Sequence, residues 1–141
     1  MKRILLGLAL TASSWLAGAQ TDIEVEHAWV REAPPGARML AAYMTLKNTG
    51  ERERVLVEVQ SPTFRHVMLH RSEVVEGVAR MIHLDEIAIP AGETVALKPS
   101  GLHLMMPAPE TRLTAGDRVE FVLIFADGSS VEAQAEVRKK P

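Results

Sequence analysis

Two histidine–methionine pairs stand in apolar, strand-like stretches of this chain: His70 and Met81 within "LHRSEVVEGVARM" (Leu69 to Met81), and His103 and Met105 within "GLHLMM" (Gly101 to Met106). Ten residues separate His70 from Met81, and twenty-one separate Met81 from His103. Imidazole and thioether are both metal donors, and both are neutral when they bind. Thioether sulfur is soft; it suits Cu(I) and offers little to Zn(II), Mg(II) or Ca(II). A site with no anionic ligand leaves Cu(I) a single charge, which costs far less to house among apolar side chains than a divalent ion. Packing is the alternative for each residue taken alone, because Met fills irregular gaps and a buried His is commonly a hydrogen-bonded core residue.

The elements that must position these donors are short strands. A hairpin is predicted around "SEVVEG", with strands Arg65–Arg71 and Val78–Leu84, a turn centred between Val75 and Glu76, and Gly77 in the left-handed position. In that register His70 faces Met81 and Met68 faces His83, with opposed Cβ atoms about 4.5–5.5 Å apart. A slip of one residue would send them to opposite faces. His103 and Met105 are two apart in a strand and point to one side of the sheet. If that strand lies near the open end of the hairpin, two imidazoles and two thioethers converge. His66 and Met68 share a face with His70, and His83 shares one with Met81, which leaves a second or competing site open. Met106 points away from Met105 and is expected in the core; Met39, Met44 and His27 are read as structural.

Around these pairs the chain is a series of alternating or apolar runs without sustained helical periodicity. Strands are predicted at Ile23–Arg31, Leu40–Lys47, Arg54–Gln60, Thr94–Leu97, Leu102–Met106, Arg118–Phe125 and Ser130–Val137, besides the two of the hairpin. Pro34-Pro35-Gly36, Asn48-Thr49-Gly50, Pro90-Ala91-Gly92, Ala115-Gly116-Asp117 and Asp127-Gly128 supply the reversals between them. Nine short strands at this spacing predict an all-β domain, a β-sandwich or Greek-key barrel.

Residues 1–19 read as a secretory signal peptide: Lys2 and Arg3 precede the apolar run Ile4 to Leu16, which ends in Ala17-Gly18-Ala19. An uncleaved N-terminal anchor is the alternative. The run is shorter than the roughly 20 residues a spanning helix needs, so residues 20–141 are expected to form one exported, soluble domain. Loss of Lys2 and Arg3 takes the formal net charge from −2 to −4, and no basic patch for nucleic acid follows. Cysteine is absent, which excludes disulfides and thiolate sites; a blue-copper electron carrier, which needs a cysteine ligand, is excluded with them.

The spacing His-x10-Met-x21-His-x-Met resembles the motif of the periplasmic copper chaperones called PCu(A)C. The resemblance extends to "AWVREAPPGA" (Ala28 to Ala37), "AAYMTLKNTG" (Ala41 to Gly50), "EIAIPAGETVALKPSGLHLMM" (Glu86 to Met106) and "RVEFVLIFADG" (Arg118 to Gly128), and so covers nearly all of residues 20–141. It implies a cupredoxin-like Greek-key β-barrel binding one Cu(I) through His70, Met81, His103 and Met105. It also implies extracytoplasmic delivery of copper to the dinuclear centre in subunit II of cytochrome c oxidase, in some cases alongside a Sco-type thioredoxin-like protein. A monomer is expected. Some relatives carry a His- and Met-rich tail that holds a second copper; "EAQAEVRKKP" at the C-terminus here has neither residue, so one ion is expected. Two rivals remain. An enzyme using His70 and His103 as acid–base groups lacks any visible triad or paired carboxylates, and no enzyme activity is expected. A metal-free β-sandwich interaction module is the other.

Overall fold

A computed structural model describes residues 21–140, so the predicted leader lies outside the described residues. These residues form ten strands and no helix: β1 (Ile23–Arg31), β2 (Met39–Asn48), β3 (Arg54–Gln60), β4 (Met68–Val75), β5 (Val78–Leu84), β6 (Ile87–Ile89), β7 (Thr94–Leu97), β8 (Leu102–Pro107), β9 (Arg118–Phe125) and β10 (Ser130–Arg138). They hydrogen-bond in the order β5-β4-β8-β2-β1-β10-β9-β3-β6, with β7 on β2 beside β8. Only the β1–β10 pair is parallel. Neighbours distant in sequence, such as β4 with β8 and β3 with β9, are the long returns of the expected Greek-key barrel, and the sheet curls until it is nearly closed.

Alternation writes the barrel into the chain. On β9, Val119, Phe121, Leu123 and Phe125 are buried while Arg118 and Glu120 face water. Phe121 stacks on Phe64, ring centroids 6.2 Å apart, and sits among Leu46, Leu56, Leu104 and Met106. Asn48 is one of two buried polar residues among those described, His103 being the other; its amide nitrogen donates to the carbonyls of Arg52 (2.7 Å) and Ile89 (2.9 Å), and its side-chain oxygen accepts from Gly50 N (3.0 Å). It therefore tethers the β2 end to the loop before β3 and to β6 without an unpaired group.

β2, β8 and β10 differ from expectation by one residue at one end or both, β4 moves further, and one element is new. β4 begins at Met68 rather than Arg65 and runs to Val75, because "SEVV" is strand and not loop. The reversal is a two-residue turn at Glu76-Gly77, with φ of 52° and 79°, the positive pair that a tight primed hairpin turn requires. Its centre lies between Glu76 and Gly77, one residue beyond the expected point. That shift moves the pairing by two residues and so keeps every side chain on its expected face. The three-residue β6 lies within "EIAIPAG" and pairs with β3, too short to carry a periodic pattern of its own.

Replacing Phe121 by Ala should lower stability by about 3–5 kcal/mol through the cavity it leaves. Urea unfolding monitored by circular dichroism measures it; a loss below about 1 kcal/mol would mean that this ring is not central to the packing.

Candidate metal centre

The site lies on the outer face of β5-β4-β8, at one margin of the sheet. On β8, Leu104 and Met106 enter the core, so His103 and Met105 point outward. On β4, Leu69 is buried, so Met68, His70 and Ser72 take the outward face. β4 and β8 pair His70 with His103 and Met68 with Met105. β4 and β5 pair His70 with His83 and Ser72 with Met81.

The expected direct oppositions of His70 with Met81 and of Met68 with His83 are therefore not observed. His70 faces His83 instead, and Met81 stands diagonally from His70, one rung nearer the hairpin tip. The turn at Glu76-Gly77 causes the shift. A diagonal pair is about 7–8 Å apart, still within the reach of a long thioether. His70, Met81, His103 and Met105 thus share one face, and His83 and Met68 share it with them. His66 precedes β4 and is exposed; Met44 and Met106 are in the core; His27 occupies a bulge in β1 with φ of 53°.

Three imidazoles cross the sheet in a row. The His83 and His70 ring centroids are 5.6 Å apart and those of His70 and His103 5.8 Å, each pair nearly perpendicular. Exposure falls along the row: His83 is exposed, His70 is partly buried, and His103 is only 3 % exposed. Met81, His103 and Met105 line one hollow with Tyr43, Arg31 and Ser72, and Tyr43 is steadied by Trp29 at 4.8 Å between ring centroids.

Hydrogen bonding fixes which nitrogens are free. His103 Nδ1 lies 3.0 Å from the Gly101 carbonyl, which can only accept, so Nδ1 carries the proton. Nε2 then keeps its lone pair, buried and without a hydrogen-bond partner; His70 Nδ1 is likewise buried and without a partner. Buried nitrogens left unpaired are costly, and a metal ion would satisfy both. The same Gly101 carbonyl accepts the Ser72 amide at 3.0 Å, so one oxygen orients the His103 ring and holds β4 against the end of β8. Desolvation, helped by the nearby His103 and His83, lowers the pKa of His70 below its ordinary value and favours the neutral ring.

The carboxylate that lines the hollow, Glu73, is paired with Arg71 at 3.4 Å. Among the described residues no three His, Asp or Glu side chains are grouped to hold a metal ion. What the face offers is neutral nitrogen and neutral sulfur, the donor set of a soft monovalent ion. Sequence reasoning missed the Gly101 carbonyl and the pairing of Met68 with Met105; the first carries no side-chain signal, and the second depends on a long-range register.

Comparisons with known proteins follow the same lines. Residues 23–137 match the family described as "Putative lipoprotein LpqE-like". "Putative lipoprotein Lxx21020" of Leifsonia xyli subsp. xyli is 34% identical over 142 residues, covering 96% of this chain and 84% of its own length. The structure resembles the "Copper-bound PCuAC domain from PmoF2", with a TM-score of 0.70 and 26% identity over 84% of this chain and 94% of that one. It also resembles the Cu(I) form of DR1885 from Deinococcus radiodurans, with a TM-score of 0.65 and 32% identity over 88% and 84% of the two chains. The family match and the shared barrel agree: this chain belongs to the LpqE-like family, the family of PCuAC copper chaperones.

Proposed function

We propose that the protein is an exported Cu(I) chaperone that holds one ion through His70, Met81, His103 and Met105 and passes it to a copper protein outside the cytoplasm. The observation that carries this reading is the pair of buried, unpartnered imidazole nitrogens on a face that also presents thioethers. The copper-bound state of the PmoF2 domain and of DR1885 supports it from outside the chain. Export rests on the Lys2-Arg3 leader pattern and on the lipoprotein description of the relatives. The dinuclear copper centre of cytochrome c oxidase subunit II, reached with a Sco-type partner, is the acceptor that the family resemblance implies.

Transfer follows from the ligands. Neutral donors retain Cu(I) against dilution yet yield it to an acceptor thiolate, which binds this ion more strongly. The acceptor's ligand enters as one donor leaves, so free copper is never released. Met81, 60 % exposed on the outermost strand, is the donor most open to displacement, while His103 anchors the ion from beneath. No step needs a general acid or a covalent nucleophile from this chain.

Anaerobic titration should show one Cu(I) bound, with Zn(II) failing to compete at equal concentration. Met105→Leu, nearly isosteric, should leave the fold intact and weaken Cu(I) binding by at least about tenfold. Unchanged affinity in that variant, or displacement of Cu(I) by Zn(II), would remove the assignment.

Protons should compete with copper as the pH falls below about 6.5, steepening toward about a hundredfold per unit for two histidine ligands and about tenfold for one. The lowered pKa of His70 delays its own protonation to lower pH. The metal-free protein should show the same group in its stability. Because the fold holds His70 below its unfolded value, the unfolded chain binds the proton first, so this contribution is complete above about pH 6.5 and is lost as the pH falls through the folded pKa. Urea midpoints recorded across that range should fall in the wild type and fall less in His70→Gln; identical slopes would place the titration elsewhere.

A further inference from the structure

We propose that Met68 is an alternative sulfur ligand of the same copper ion, exchanging with Met81 while His70, His103 and Met105 remain bound; the inference rests on the copper site proposed above. Its basis is the β4–β8 register. His70 opposes His103, and the next outward pair along the same two strands is Met68 opposing Met105. These four side chains form two directly opposed pairs on adjacent strands, with Cβ atoms in each pair about 4.5–5.5 Å apart. That is a complete set of two nitrogens and two sulfurs without β5. Met81, in contrast, is on β5, where its direct partner is Ser72, which offers no sulfur or imidazole.

The two methionines differ in surroundings. Met68 is partly buried at the start of β4, paired with β8, whereas Met81 is 60 % exposed on the edge strand. His83 also stands on this face, but it is exposed, with its Nε2 3.6 Å from the Asp85 carboxylate. Met39 is diagonal to Met105, on the far side from the histidines. Met68 is thus the additional soft donor that the strand pairing sets beside His70 and opposite Met105.

Exchange between them breaks one copper–sulfur bond and forms another. Oxidation state, net charge and proton count are unchanged, because both donors are neutral thioethers. The unbranched methionine side chain, with three rotatable bonds, makes such a swap possible without moving the backbone. The consequence is a four-coordinate ion with Met81 released. An acceptor approaching at the β5 edge then meets copper from which the outer thioether has already withdrawn.

X-ray absorption of the Cu(I)-loaded protein counts the sulfur scatterers. Two are expected in the wild type, two in Met81→Leu, two in Met68→Leu, and one in the double variant, with thermal unfolding of each metal-free variant confirming that the nearly isosteric changes leave the fold intact. Affinity should fall less than about tenfold in each single variant and more than about a hundredfold in the double, the non-additivity of two groups that replace each other. A single sulfur in Met81→Leu, or additive losses, would overturn the role of Met68 and leave the four-donor site standing. A wild type that binds Cu(I) without sulfur would overturn both.

Discussion

The antiparallel pairing of β4 with β8 is the constraint on which the site depends. It joins residues more than thirty positions apart in the chain, and its register alone decides that His70 meets His103 rather than Leu102 or Leu104. Burial of Leu69, Leu104 and Met106 fixes which faces of the two strands turn inward, and the remaining faces have no choice but to present imidazole and thioether together. The Gly101 carbonyl then secures the arrangement at its weak point, where β8 begins and β4 loses its partner. Backbone pairing, core burial and ligand orientation are thus one set of contacts.

Much of this was legible in the sequence. The alternation on β9 and β10, the turn residues and the spacing of the two His–Met pairs gave the strand set and the shared face, because these are properties of local period. The hairpin register was not legible. "SEVVEG" supports a turn at either of two neighbouring centres, and the positive φ of Glu76, a residue with no special liking for that region, is imposed by the strand pairing on either side. β6 escaped notice for a different reason: three residues cannot display a period. The opposition of Met68 and Met105 requires knowing which distant strand lies beside β4, information held in the whole barrel.

The electrostatics of the face are set by what it lacks. Every donor is neutral, Glu73 is engaged by Arg71, and Arg31 lines the hollow as a fixed positive charge. A second charge on a bound ion would be opposed by that guanidinium, while the Glu73 carboxylate beside the hollow is already paired with Arg71, so the surroundings as well as the sulfur would favour a monovalent cation. The lowered pKa of His70 belongs to the same picture, since a site that disfavours its own protonation is open to an incoming ion.

The hairpin of β4 and β5 lies at one end of the strand order, where β5 has a neighbour on one side only. Its outer residues, Val78 to Met81, contribute nothing to the core. Amides in such a segment exchange with solvent through local opening, at a cost well below that of global unfolding. Cargo bound between β5 and β8 would act as a cross-link from this loosely held edge to the firm centre of the barrel, so the loaded and empty forms would differ less in shape than in how long the hairpin stays closed. A receiving protein could then distinguish the two by the lifetime of an edge.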